Sequence, residues 1–196
     1  MDIVILKYVL GIVAIAMTFI GYVPYLRDTC TGKTKPHIYS WLLWTVVTAI
    51  AFGLQVTGGA GLGSYVTLSA SIMCGVVLLL SLRANGKRDI TTSDKVFLLL
   101  AFLSLFLWLG AKQPVASTIL TTLTDLLGFV PTIRKSWNNP RSETISFYSI
   151  NSVRFALAVM SLQSYTIVTA LYPVCWLLGN GLFAIMLHIR RRQVKS

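Results

Sequence analysis

Three polar residues interrupt the apolar stretches in the second half of the chain: Asp125, Arg154 and Asn180. A charged side chain at the centre of a hydrocarbon layer costs about 2.5 to 3.5 kcal/mol on insertion scales, so such residues usually mark function. Each lies eight residues from the same end of the predicted hydrocarbon layer, which at about 1.5 Å per residue is a depth of about 12 Å. We expect them to converge on one layer. There Asp125 would bind a proton or a solute, and Arg154 would pair with it or with an anion. The alternative is a buried ion pair that only holds helices together.

Other side chains are candidates for the same site because of their spacing along a helix. Asn151 lies three residues before Arg154, on a similar helix face. Trp176 lies one turn from Asn180, and either Trp176 or Trp44 is suited to stack on a ring-shaped solute, with simple packing as the alternative. The residues predicted to bind substrate are Asn180, Asn151, Asp125, Arg154, Trp176 and Trp44.

Two glutamines and two prolines recur at matching places in the two halves of the chain. Gln55 and Gln163 lie near the ends of apolar stretches, where they would line a gate or bond to interfacial water. Pro24 and Pro131 each remove a backbone donor near a helix end, which permits a kink. We expect these prolines to be hinges, with a kink that ends the helix as the alternative.

The elements that position these residues follow from composition. The chain has 196 residues, of which 55% are apolar and 12% are charged, whereas soluble domains have roughly 25% charged residues. Long apolar runs therefore predict an all-α integral membrane protein, with no room for a soluble catalytic domain. Seven transmembrane helices are predicted at 3–26, 38–57, 64–82, 96–111, 114–133, 146–165 and 168–188.

The net charge of +11 follows the predicted topology. Of the 17 lysines and arginines, 14 lie in the connections after the odd-numbered stretches, and the opposite connections have almost none. Because basic residues stay on the cytoplasmic side, the N-terminus is predicted outside and the C-terminus inside. This distribution argues against nucleic acid as a partner and predicts contact with the lipid bilayer.

An internal repeat organises the predicted helices. The heptapeptide that begins at Gly21, GYVPYLR, is echoed by GFVPTIR 107 positions later, at Gly128. The predicted units are residues 1–83 (a three-helix repeat), 84–113 (a cytoplasmic loop and linker helix) and 114–196 (a second three-helix repeat with a basic tail). Both repeats start on the same side, so they are parallel and should enclose a path between them.

This 3+1+3 pattern, with a proline near the inner end of the first helix of each triple, resembles the SWEET and PQ-loop transporter superfamily. The resemblance implies alternating access and a small polar solute, with a sugar as the leading expectation, since Asn180 matches an asparagine of SWEET-like sugar sites. A proton-coupled exporter of an amino acid or another polar metabolite remains an alternative. A second alternative is a non-transporting seven-span receptor or sensor.

Enzymatic chemistry is not predicted. The three cysteines and two histidines form no metal-binding or nucleophilic pattern, so neither a cofactor nor a metal is expected. The expected partners are a small-molecule substrate, the lipid bilayer, a proton if Asp125 titrates during the cycle, and a further copy of the chain if it forms a homo-oligomer. The compact loops favour the plasma (inner) membrane.

Overall fold

The computed structural model describes residues 2–32, 36–83, 92–141 and 143–194. In these residues the chain folds into seven α-helices, which confirms the predicted all-α class there. The predicted cytoplasmic loop at 84–91 lies outside the described residues. The helices are α1 (Ile3–Cys30), α2 (Ile38–Thr57), α3 (Gly63–Arg83), α4 (Thr92–Leu109), α5 (Pro114–Asn138), α6 (Ile145–Met160) and α7 (Ile167–Gln193).

Six of the described helices are long and apolar enough to cross a membrane, and α6 is a shorter apolar helix of 16 residues. Their outer faces carry large apolar side chains that are widely exposed, such as Ile20 at 69% and Leu99 at 68%. Apolar surface on this scale is unfavourable in water and favourable in lipid. The described chain therefore has the character of an integral membrane protein.

Local sequence explains where several helices begin and end. Proline at the first position of α5 fits the rule that N1 needs no backbone donor. A capping box between Thr166 and Thr169 starts α7. The sequence predicted α6 to run to Tyr165, which is wrong, because the helix ends at Met160. The Ser161 hydroxyl donates to the Ala158 carbonyl at 2.8 Å, a local bond of the kind that competes with helix continuation.

The helices pack in a pattern that recurs in the two halves of the chain. Helix α3 packs against both α1 and α2, and α7 packs against both α5 and α6. Between the halves, α1 packs on α6 and α2 on α5, while α2 also meets α7 and α3 meets α6. The buried interior therefore lies between α1–α3, called here the first half, and α5–α7, the second half.

Helix α4 contacts the two halves by different means. A buried polar seam joins it to α5: the Ser104 hydroxyl donates to the Ser117 carbonyl at 3.0 Å and also bonds to Thr121. Against α2 it packs apolar surface, with the Trp108 ring so close to Gly53 that an added side chain there would collide with it. The connection to α5 is thus made by directional hydrogen bonds and the connection to α2 by van der Waals contact.

Candidate functional site

Asp125 is the most deeply placed acidic group of the described chain. It is 2% exposed on α5. Its Oδ2 accepts hydrogen bonds from the Tyr172 hydroxyl and from the Trp176 indole N–H, each at 2.8 Å. These two donors lie four residues apart on α7, so one face of that helix presents both to the carboxylate. The other oxygen, Oδ1, is buried and has no hydrogen-bond partner.

Arg154 is buried on α6, at 4% exposure. Its Nη1 donates to the Thr18 hydroxyl on α1 at 3.0 Å, which is a contact between the two halves of the chain. The guanidinium carbon lies 4.3 Å from the centroid of the neighbouring Phe155 ring, within the range of a cation–π contact. The Nε atom is buried without a partner.

Asp125 and Arg154 do not form an ion pair, which was one of the arrangements expected from the sequence. No nitrogen of Arg154 lies within 4.0 Å of a carboxylate oxygen of Asp125. Both nevertheless lie within electrostatic range of Tyr22, whose hydroxyl is 3.5 Å from the Cys74 sulfur. The two charges therefore share one buried region and are each bonded to neutral groups.

These contacts define a central polar cluster that draws residues from five helices. The first half contributes hydroxyl and thiol groups, and the second half contributes both charges together with their aromatic neighbours. Its members are Thr18, Tyr22, Cys74, Asp125, Arg154, Tyr172 and Trp176.

The two asparagines predicted to bind substrate bond within their own helices. Asn180 is 4% exposed, and its amide donates to the Trp176 carbonyl at 2.7 Å. Asn151 is half-buried and donates to the Phe147 carbonyl at 3.0 Å. Asn180 therefore lies one turn from the cluster, beside Trp176, and neither amide hydrogen-bonds to Asp125 or Arg154 among the described contacts.

The two tryptophans have different surroundings. Trp176 holds Asp125 by its N–H, and its ring lies 6.5 Å from that of Phe155 at an interplanar angle of 19°. Trp44 is half-buried and packs edge-on against Trp41 at 5.0 Å, and its indole nitrogen lies close to where a side chain at Gly128 on α5 would be. Trp176 is thus part of the cluster, and Trp44 lies where α2 meets α5.

One end of the bundle, where α1, α3, α5 and α7 begin, is closed by contact between loops. This end is called here the N-terminal end. The Gln163 N–H donates to the Ala60 carbonyl at 3.0 Å, and the Ala60 N–H donates to the Gln55 carbonyl at 2.9 Å. The Gln163 side chain lies directly over Gly61, whose positive φ of 64° suits glycine. Both predicted gate residues therefore lie where the two loops meet.

The two glutamines differ in burial. Gln163 is exposed and lies in the loop after α6, not in a helix. Gln55 is 1% exposed inside α2, and both atoms of its side-chain amide lack a hydrogen-bond partner. A buried amide without partners is unfavourable, which makes Gln55 the more unusual of the pair.

A lysine on α1 completes the closure of the N-terminal end. Lys7 donates from Nζ to the Leu162 carbonyl, just beyond the end of α6, at 2.6 Å. Its ammonium also lies 5.1 Å from the centroid of the Tyr165 ring. Lys7 thus ties the start of the first half to the α6–α7 loop of the second.

Searches among known proteins found no match. No family model, curated protein or solved structure resembles the chain closely enough to identify it. The functional assignment therefore depends on the geometry of the chain itself.

The two prolines predicted as hinges lie inside helices and not at their ends. Pro24 lies within α1, which continues to Cys30, so a kink that ends the helix is excluded there. Pro131 lies within α5, and its side chain is outside the described part of the structure. Pro173, for which no role is predicted, lies in α7 next to Tyr172. The hinge role of Pro24 and Pro131 stays a prediction.

The opposite end of the bundle is held by arginines at the end of α7. Arg190 donates to the Trp137 carbonyl at 3.1 Å and lies over that indole ring. Arg191 donates to the Pro140 carbonyl at 2.9 Å and to the carbonyl of Glu143. The basic tail, which the sequence predicts as an orientation signal, therefore also fixes the connection between α5 and α6.

Two residues that matter here were not predicted from the sequence. Tyr172 lies in an apolar stretch, although its spacing of four from Trp176 places both on one helix face. Lys7 contacts a loop carbonyl 155 positions away, and such a contact leaves no local pattern in the sequence. Among the described residues no group of acidic, histidine and cysteine side chains is suited to hold a metal.

Proposed function

We propose that this chain is a membrane transporter that moves a small polar solute by alternating access between two three-helix units, residues 1–83 and 114–196. The observation that carries the proposal is the central polar cluster. It buries an acidic and a basic group between the two halves, and Arg154 reaches across to Thr18. Intramembrane charges that face a bundle interior are typical of solute and ion pathways.

The packing of the helices supports a repeated architecture. In the proposed repeat, α1, α2 and α3 correspond to α5, α6 and α7. Under this correspondence the α1–α3 contact matches α5–α7, and the α2–α3 contact matches α6–α7. Likewise the α1–α6 contact matches α2–α5, and α2–α7 matches α3–α6; each of these contacts is present. Parallel repeats related by an axis along the membrane normal would give this pattern. The 3+1+3 form and its likeness to the SWEET and PQ-loop superfamily are part of the proposal.

The two ends of the bundle fit an alternating-access cycle. In the proposed orientation the N-terminal end faces outside, because most basic residues lie in the connections at the other end. The contact of Gln163 with Ala60 and of Lys7 with Leu162 closes that end. The structure would then be a state closed to the outside, and transport requires these contacts to break.

Uptake into proteoliposomes tests the proposal. The full-length protein is reconstituted and offered radiolabelled sugars, amino acids and vitamins, with and without a pH gradient. We expect saturable uptake of at least one class, with loss of most of it in Asp125→Asn. Protein-free vesicles and the surface variant Asp28→Asn are the controls. Absence of flux for every class would overturn transport and favour a receptor or sensor.

A sugar remains the leading prediction from the resemblance, and the pH-gradient arm separates uniport from proton coupling. Flux that is indifferent to the gradient would exclude Asp125 as an obligatory proton carrier. Flux that follows the gradient and loses this dependence in Asp125→Asn would support a proton-coupled cycle.

A further inference from the structure

Gln55 is buried where the two halves meet, just beneath the closed N-terminal end. Its side chain is 1% exposed, and neither the oxygen nor the nitrogen of its amide has a hydrogen-bond partner among the described residues. Ala51 lies one turn earlier on the same face of α2 and packs with Phe155 and Tyr172 of the second half. Gln55 therefore lies on the face of α2 that meets the second half.

The loops that cover Gln55 are tightly packed. The Gln55 carbonyl accepts from the Ala60 N–H at 2.9 Å, and the Ala60 carbonyl accepts from the Gln163 N–H at 3.0 Å. A β-carbon added at Gly58 would lie 2.9 Å from the Thr169 methyl group, closer than two carbon atoms normally approach. Because the loops meet this closely, closure of the N-terminal end takes the Gln55 amide out of contact with bulk solvent.

Closure is unfavourable for the Gln55 amide. In an open end, water bonds to its N–H groups and to its oxygen, whereas in the closed end the described residues bond to neither atom. Burying an amide without compensating hydrogen bonds costs free energy, and this cost falls on the closed state alone. The contacts of Gln163 with Ala60 and of Lys7 with Leu162 act in the opposite direction, because they form only when the end is closed.

We propose, on the basis of the alternating access proposed above, that Gln55 is an opening element: its buried amide shifts the closed-to-open equilibrium of the N-terminal end toward the open state. Lys7 and the loop contact hold the closed state, and Gln55 limits how strongly it is held. A transporter that reopens in every cycle requires such a balance, since an over-stable closed state would slow each turn. A residue that latched the gate would have the opposite effect.

Methionine at position 55 tests the direction of the effect. Gln55→Met keeps a long, unbranched side chain and removes the groups that donate and accept hydrogen bonds at the amide. Hydrogen exchange of the full-length protein in nanodiscs, followed by mass spectrometry, measures opening through the bonded N–H groups of Ala60 and Gln163. We expect exchange in peptides that contain these two residues to slow by roughly 5- to 30-fold, because closure no longer buries an amide without partners.

Gln55→Glu provides a change of opposite sign at the same position. Glutamate has nearly the same shape as glutamine, and at about pH 7.5 its carboxylate is ionised in water. Closure would then bury a charge, which costs more than burying a neutral amide. We expect exchange at Ala60 and Gln163 to be faster than in the wild type. A rate equal to or slower than that of the wild type would contradict the opening element.

Gln113 supplies the matched control. It is exposed and lies at the same end of the bundle, in the connection between α4 and α5. Gln113→Met makes the same chemical change without altering a buried group, and it should leave exchange within about twofold of the wild type. Peptides from the connection between α5 and α6, at the opposite end, are the internal reference. Equal slowing there in Gln55→Met would indicate a general gain in stability and would overturn the local role.

The outcomes separate this proposal from the transport proposal, because exchange is measured without a solute. Faster or unchanged exchange in Gln55→Met would overturn the opening element, and flux in the wild type would leave transport intact. Slower exchange in Gln55→Met, in a protein that moves no solute, would support the opening element and overturn transport.

Discussion

Replacing Lys7 by methionine should open the N-terminal end of the bundle. The Lys7 ammonium donates to the Leu162 carbonyl at 2.6 Å and lies 5.1 Å from the Tyr165 ring centroid. Methionine keeps a long apolar side chain and removes both interactions. A hydrogen bond from a charged donor contributes about 1.5 to 3 kcal/mol and an exposed cation–π contact about 0.5 to 1 kcal/mol.

The size of the effect is reduced by solvent, because Lys7 is only half-buried. After this reduction we expect a loss of about 1 to 2 kcal/mol from the closed state, which is roughly a 5- to 30-fold shift in the closed-to-open equilibrium. The shift toward the open state should increase the exposure of residues that lie beneath the contact between the α2–α3 and α6–α7 loops.

Ser161 is a suitable reporter position for this opening. It is 0% exposed, and its hydroxyl lies where a side chain at Gly63 would touch it, so the start of α3 covers it. Ser161→Cys is nearly isosteric. In a background with Cys30, Cys74 and Cys175 replaced by serine, the rate of reaction with a membrane-impermeant maleimide measures how often the end is open.

We expect Lys7→Met to raise the labelling rate at position 161 by roughly 5- to 30-fold and Lys7→Arg to raise it much less. Lys95→Met removes an exposed lysine at the start of α4 and serves as the control. An unchanged rate in Lys7→Met, or an equal increase in Lys95→Met, would refute the role assigned to Lys7.

Three further predictions concern stability and the site. Tyr172→Phe leaves Asp125 with Trp176 as its described donor and should lower the free energy of unfolding by about 1 to 3 kcal/mol. Thermal unfolding in detergent measures this effect, and an unchanged midpoint would contradict the 2.8 Å bond. Ser104→Ala breaks the seam between α4 and α5 and should cost about 1 to 2 kcal/mol in the same assay, while Ser104→Thr retains part of it. Arg191→Gln should speed proteolysis of the connection between α5 and α6, which it holds through the Pro140 carbonyl; equal cleavage rates would refute that function.

Much of the helical framework is readable from the sequence because it depends on long apolar runs. The predicted span at 38–57 coincides with α2, and the other helices begin within about four residues of the prediction. The ends differ more: α1, α5 and α7 run further than predicted, to Cys30, Asn138 and Gln193, and α6 ends earlier. Two of these differences have local causes. Helix α1 extends to Cys30 because Pro24 is accommodated inside it, and α6 ends at Met160, where Ser161 bonds back to the helix.

The candidate site was only partly readable. Asp125 and Arg154 stand out because charge in an apolar run is rare, and the structure buries both. Their partners were not predictable in the same way. The bond from Arg154 to Thr18 joins residues 136 positions apart, and the bond from Tyr172 to Asp125 joins residues 47 apart. Such pairings depend on how helices dock, which single-sequence patterns do not encode. The substrate-binding and hinge roles stay predictions.

The two unlike faces of α4 have a consequence for how the proposed cycle moves. Hydrogen bonds between Ser104 and the α5 residues resist displacement, whereas the apolar contact of Trp108 with Gly53 of α2 has no preferred direction. Helix α4 should therefore travel with the second half and slide over α2. The two bodies that move are then unequal: α1–α3 form one, and α4 together with α5–α7 forms the other. The lipid next to α4 is therefore displaced in each cycle. Because even a methyl group at Gly53 would collide with the Trp108 ring, a substitution there would push α4 away from α2 and alter transport at a point remote from the central polar cluster.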